Sequence, residues 1–266
     1  MKPGFRARYE RDVTDGLKRL QPERLLLDRD LDGLPRLLQA YLRRVGVVGR
    51  PRTQNFRARF RGEIRRSHGS GWMRIRAEQH TFLGPEPARL FLMKASYLGL
   101  PFEAFHRFVG PTATMQVRVA SLFQVVDARG PEMDQGETVT FFNDLCLLDP
   151  AALLEADIQW LEIDEKTLRG TFHHQGRTVA ADLTFNADGD LVNYLSGDRY
   201  QSADGKAYVK YPWSTPVCEY QEVAGLRLMA RGDAVWAEPG GPFPYARFEV
   251  EDITYNLGCP SVGGTP

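Results

Sequence analysis

Cysteine is scarce: three in 266 residues, at Cys146, Cys218 and Cys259. Their wide spacing excludes a disulfide framework and any CxxC metal knuckle, and reduced thiols in a cytoplasmic setting are the expectation. No apolar run reaches the roughly 18 residues of a membrane helix. The opening MKPGFRARYERDV is charged from its start and has no apolar segment, so it is not read as a secretory signal. Peripheral contact with a membrane stays open. Catalytic signatures are missing too: there is no HExxH, no GxSxG, and the GGPF stretch at Gly240 lacks the GK[ST] ending of a phosphate loop. His68, His80, His106, His173 and His174 are scattered, with no Cys/His pairing. Neither a metal nor another cofactor is expected. His173 and His174 are consecutive on an expected strand, so they would face opposite sides and could not share one ion.

Net charge is also absent, at +0 overall. It is unevenly distributed, however. Residues 1–76 carry 20 Lys/Arg against 8 Asp/Glu, and the remainder carries 14 against 26. The two parts either pair across the fold or leave the basic part for an anionic partner. Zero net charge argues against nucleic acid.

What the chain does have is alternation. Phe56, Ala58, Phe60, Gly62 and Ile64 interleave with Arg57, Arg59, Arg61, Glu63 and Arg65. One face of this strand is apolar and the other basic. After the turn SHGSG, the segment 72–82 repeats the pattern with Arg74 and Arg76. If the two strands pair, like charges on one face need something acidic over them. The acidic remainder, a ligand or a partner surface would serve. Further strands are predicted at 89–97, 102–109, 115–127, 158–163, 167–174, 178–185, 191–198, 207–213, 218–223, 234–236 and 245–255. Their connectors NADGD, SADGK and AEPGGP carry turn chemistry. In the last strand Ala246, Phe248 and Val250 are out of phase with Ile253 and Tyr255, which predicts a bulge near Glu251 or Asp252.

Helical spacing is confined to three places. Leu34, Leu37, Leu38, Tyr41, Leu42 and Val45 recur three and four apart, with Asp32 as a candidate cap and Gly46 as the stop. A looser helix is expected from about Tyr9 to Leu20. A third helical stretch is expected between Met133 and Leu154, with a second short turn starting at Asp149–Pro150 and Cys146 buried. No βαβ rhythm is present, so a parallel sheet is not expected. The prediction is a mainly β, α+β fold: a single long curved antiparallel sheet or half-barrel covered by the N-terminal and central helices. It forms one domain over 1–260, with a helical segment at about 1–50 and a disordered tail at 261–266.

Candidate site residues follow from phase. Arg199 is in phase with Leu191, Asn193 and Leu195, so its guanidinium is placed on the concave side, where it either clamps an anionic group or braces a loop. Tyr211 and Trp213 share a face, and with Trp160 and Tyr220 they either line a pocket or fill a core. His174 is in phase with Leu168 and Phe172 and should point inward. Asn143–Asp144 is read as local capping or a solvated helix face.

Five stretches carry a resemblance: LPRLLQAYLRRVG (34–46), EMDQGETVTFFNDLCLLDPAALL (132–154), IQWLEID (158–164), LTFNADGDLVNYLSGDRY (183–200) and PWSTPVCEYQEVAGLRLMARGDAVW (212–236). In these the chain resembles an uncharacterised bacterial domain-of-unknown-function family, which implies no activity. The layout is also similar to bacterial lipoprotein-carrier half-barrels, whose sheets hold acyl chains. Fold does not fix function. Three functions therefore stand. The first is a non-catalytic carrier of a hydrophobic or amphipathic, possibly anionic-headed ligand, held by Arg199, Tyr211, Trp213, Trp160, Tyr220 and His174. The second is a cavity enzyme using His174, Asp198 and Arg199. The third is an interaction module that meets an anionic surface through Arg57, Arg59, Arg61, Arg74 and Arg76.

Overall fold

The computed structural model describes residues 4–20, 24–97, 99–120, 122–202 and 205–259. The expected tail lies outside them. Six strands form an N-terminal meander: β1 (Asn55–Ile64), β2 (Met73–Phe82), β3 (Ala88–Tyr97), β4 (Leu100–Val109), β5 (Thr112–Val119) and β6 (Phe123–Ala128). Ten follow: β7 (Ile158–Glu162), β8 (Thr167–His174), β9 (Arg177–Phe185), β10 (Leu191–Ser196), β11 (Tyr200–Gln201), β12 (Val209–Lys210), β13 (Trp213–Ser214), β14 (Val217–Val223), β15 (Leu226–Glu238) and β16 (Gly241–Tyr255). Fourteen of them make one antiparallel sheet in the order β6-β5-β4-β3-β2-β1-β16-β15-β13-β10-β9-β8-β7, with β14 also on β15. The β11–β12 ribbon stands apart. The sheet curls without closing. Its first and last strands meet in its middle, where β1 pairs with β16.

The curl follows from the connection between the two edges. β6 and β7 lie at opposite ends of the strand order, and helix α3 (Pro131–Leu147) with the 3-10 turn Pro150–Leu154 joins them. Thirteen strands laid flat at about 4.8 Å would separate the edges by roughly 58 Å. A 17-residue helix covers only about 25 Å. The sheet wraps around the helix, and every residue of α3 from Gly136 to Leu147 is buried. Helix α2 (Arg36–Val45) buries Leu38, Tyr41, Leu42 and Val45 in the same core. It ends at Gly46, whose φ of 87° is the left-handed stop read from the sequence. Helix α1 (Phe5–Leu17) lies on the convex side instead. There Phe5 and Tyr9 pack on Phe105, Leu90 and Leu92.

Several expectations shift. The strand predicted over 115–127 turns at Ala120, which has φ 50° without being glycine, and becomes β5 and β6. Strand 207–213 contracts to β12 and β13, because Pro212 lacks the N–H a ladder needs. Strand 234–236 extends back to Leu226, and α2 starts after Pro35 rather than at an Asp32 cap. The bulge falls where phase required it: Arg59 faces Asp252 and Phe60 faces Val250, leaving Glu251 as the extra residue.

The charge asymmetry resolves on the convex face. Arg57 and Arg59 reach Asp252 at 3.5 and 3.3 Å, and Arg61 pairs with Glu249. The acidic group over these three arginines is thus supplied by β16. Arg74 and Arg76 are exposed on the neighbouring strand.

Candidate functional site

Inward residues of β1 to β5 alternate with the convex set, and together with α3 they enclose a cavity of about 430 Å³. Its wall is mainly apolar: Phe60, Phe91, Met93, Met115, Val117 and Met229 contribute, among others. Trp213, Trp236 and Phe243 close the opposite side, and the β11–β12 segment borders it through Tyr200, Gln201 and Tyr208. The volume and the apolar lining with few polar groups are those of a small-molecule site.

Arg199 projects into this space. Its guanidinium lies 4.3 Å from the Trp213 ring centroid and 5.2 Å from that of Trp236. Nη1 donates to the Tyr245 hydroxyl at 3.0 Å, and Nε is buried without a partner. Among the described residues Arg199 has no carboxylate ion pair. The Arg199 stem passes over Gly136 of α3, where a Cβ would stand in ordinary contact, 3.8 Å from Arg199 Cγ.

α3 carries a second polar group into the cavity wall. Arg89 donates from Nε to Asp144 Oδ2 at 2.6 Å and from Nη1 to Glu137 Oε2 at 3.1 Å. Gln79 donates to the same Asp144 oxygen at 2.8 Å, and His106 Nδ1 lies 3.2 Å from Glu137 Oε1. Burial alone would raise the Glu137 carboxyl, but Arg89, then His106 and Arg199, bring it down to about 2. Glu137 is therefore a buried anion with its counter-charge built in. Asn143 accepts a bond from the Thr215 hydroxyl at 2.5 Å. Asn143 and Asp144 thus face inward and buried, not to solvent as read from the sequence. The helix is enclosed on all sides, so it has no solvated face to offer.

Of the six ligand residues read from the sequence, Arg199 and Trp213 meet at the cavity. The other four lie outside its lining. Trp160 packs over Gly170 and against Phe142 near the β7 edge. Tyr220 donates to the Leu191 carbonyl at 2.7 Å and lies under Arg227. Tyr211 packs on the periphery of the main core. His174 sits among Phe108, Phe141 and Phe172, and burial lowers its pKa to about 4. Asp198 accepts from the Ala180 N–H and from Lys210 Nζ. His174, Asp198 and Arg199 therefore do not gather around one pocket. Sequence reasoning missed Arg89 and Glu137. The signal for Arg89 was a charged residue on the apolar face of a strand, in phase with Phe91 and Met93; Glu137 stands among other polar residues of α3 and had no such signal.

A model of a family of unknown function, DUF6544, matches residues 24–248. A search among curated proteins finds no match. Among solved structures, the chain is similar to a DUF1329 family protein from Desulfovibrio piger, at 12% identity and a TM-score of 0.45, over 84% of this chain and 93% of that one. It is also similar to a putative outer membrane lipoprotein-sorting protein domain from Vibrio parahaemolyticus, at 11% identity and TM-score 0.41, covering 77% and 87%. A LolA superfamily protein from Nitrosomonas europaea gives 10% identity and TM-score 0.42, covering 82% and 93%.

Proposed function

This chain belongs to the DUF6544 family of unknown function, and we propose that it is a binding or carrier protein for a hydrophobic or amphipathic small molecule held in the concave cavity. The apolar body of the ligand lies along Phe91, Met93, Met115 and Val117, and an anionic head meets Arg199. One observation carries the reading: a guanidinium with no carboxylate ion pair among the described residues, 4.3 and 5.2 Å from two indole rings, lines a mainly apolar chamber of about 430 Å³. A cation bordering such a space is matched by a carboxylate or phosphate.

Native mass spectrometry and lipid extraction of the purified protein test the proposal. A bound amphiphile at one per chain is expected. Arg199→Gln should weaken binding of a fatty acid at least about tenfold, the scale of one charge-assisted bond, and leave the corresponding fatty alcohol nearly unchanged. Equal loss for acid and alcohol would remove the anionic head from the account. No uptake of either would remove the carrier.

A further inference from the structure

One end of the sheet has a distinct surface. The β1–β2, β3–β4 and β5–β6 turns all fall there, as the antiparallel registers require. Arg65 and Arg66, which follow β1, line the cavity at this end. The concave apolar surface does not stop at the cavity wall. It continues past Met93 and Val117 to Phe102, Val119 and Phe123, which are adjacent in register.

The rim of that surface is exposed. Leu122 is 77% accessible, Phe123 69%, Val125 55% and Leu100 54%. They are neighbours on two turns and an edge strand, and burying them together would remove a contiguous apolar patch from water. The convex side of this end carries both signs of charge, with two exposed cations on β2. One transverse row of facing positions runs Arg61, Arg76, Lys94, Glu103, Arg118. Arg61 is neutralised by Glu249 and Glu103 faces both Lys94 and Arg118, but Arg74 and Arg76 remain exposed. An apolar lip backed by cations has the complement of an anionic lipid surface: acyl chains below, phosphate above.

We infer that this end of the molecule docks on an anionic bilayer, with Leu122 and Phe123 entering the interface and Arg74 and Arg76 meeting headgroups, so that the Arg65–Arg66 end of the cavity faces the lipid. The inference goes beyond ligand binding and stands on separate residues. Its failure and that of the carrier reading are therefore distinguishable.

Flotation with phosphatidylcholine vesicles, with and without phosphatidylglycerol, tests it. The chain should float with the anionic vesicles at low salt and release as salt rises. Arg74→Glu with Arg76→Glu should weaken the association about 25-fold or more, at roughly fivefold per positive charge removed. Leu122→Asp with Phe123→Asp should abolish it. Thermal melts confirm that both variants fold, and both should still retain cavity ligand by native mass spectrometry. Absence of flotation at low salt, or flotation unchanged in either double variant, overturns the inference. A dimer in sedimentation analysis that Leu122→Asp with Phe123→Asp dissolves, without vesicle binding, would assign the lip to a second copy of this chain and overturn it equally.

Discussion

Arg89 is buried between Glu137 and Asp144, and its side chain is 8% exposed. Removing it would strand two carboxylates inside the fold. Arg89→Ala should therefore cost about 3–5 kcal/mol in urea unfolding, and Glu137→Gln with Asp144→Asn in the same background should recover part of that loss. A cost below 1 kcal/mol would show that water already reaches the cluster. Asp149 presents the opposite case. Burial lifts its carboxyl to about 7, against the pull of the Thr53 hydroxyl. In the unfolded chain such a group titrates near pH 4 (about 3.9). Between the two values the folded chain holds a proton that the unfolded chain has released. The stability linked to Asp149 is thus fully present below about pH 4 and is lost as pH rises through 7. Asp149→Asn should raise the melting temperature at pH 8 and leave it nearly unchanged at pH 4. His174 acts in the reverse sense over nearly the same window. With its pKa lowered to about 4 by burial, it takes stability away as pH falls from its ordinary value near 6.5.

Among elements, the seam between β1 and β16 joins the two halves of the chain. It depends on close backbone approach. A Cβ at Gly62 would lie 2.0 Å from the Arg247 carbonyl oxygen. Gly62→Val should therefore destabilise by about 2 kcal/mol, within the roughly 1–3 kcal/mol that overpacking costs, although valine is the better strand former. Stability equal to that of the parent in a urea melt would mean that the seam relaxes. A second tie joins α2 to the C-terminal strands: Arg44 and Arg227 both grip Asp190 in paired hydrogen bonds of 2.6 to 3.1 Å. Strand periodicity made β1, β2, β8 and β9 legible, and the phase break at Glu251 located a bulge from residues alone. Helix α3 was legible as a helix but not as the strut of the fold. Its polar residues looked like a solvated face because nothing local says that Arg89, Gln79 and Thr215 come to meet them. Those partners lie 55, 65 and 72 residues away, and such contacts exist only once the sheet has wrapped.

At the scale of the whole molecule, a sheet wound around a crossing helix leaves space on one side of that helix and fills the other. The aromatic residues divide accordingly. Tyr194, Phe142, Phe172 and Phe185 pack as core, whereas Trp213, Trp236 and Tyr245 border the open side. Alternation along strands assigns a residue to the concave face but not to the filled or open part of it. Trp160, Tyr211, Tyr220 and His174 were placed by phase alone, and the curl decided their surroundings. Trp213 was reached by the same reasoning and does border the space; Arg199 borders it as well, although Leu195 of its expected phase is exposed opposite Asp182 and a register shift at Leu191/Asn193 breaks that phase. Calorimetric titration of a long-chain fatty acid into the parent chain and into Val117→Trp with Met115→Trp, two half-buried positions of the cavity wall, is the most direct trial of an occupied chamber. One site per chain in the parent and heat no different from dilution in the filled variant are expected. Equal binding by both would place the ligand elsewhere and contradict the cavity as its seat.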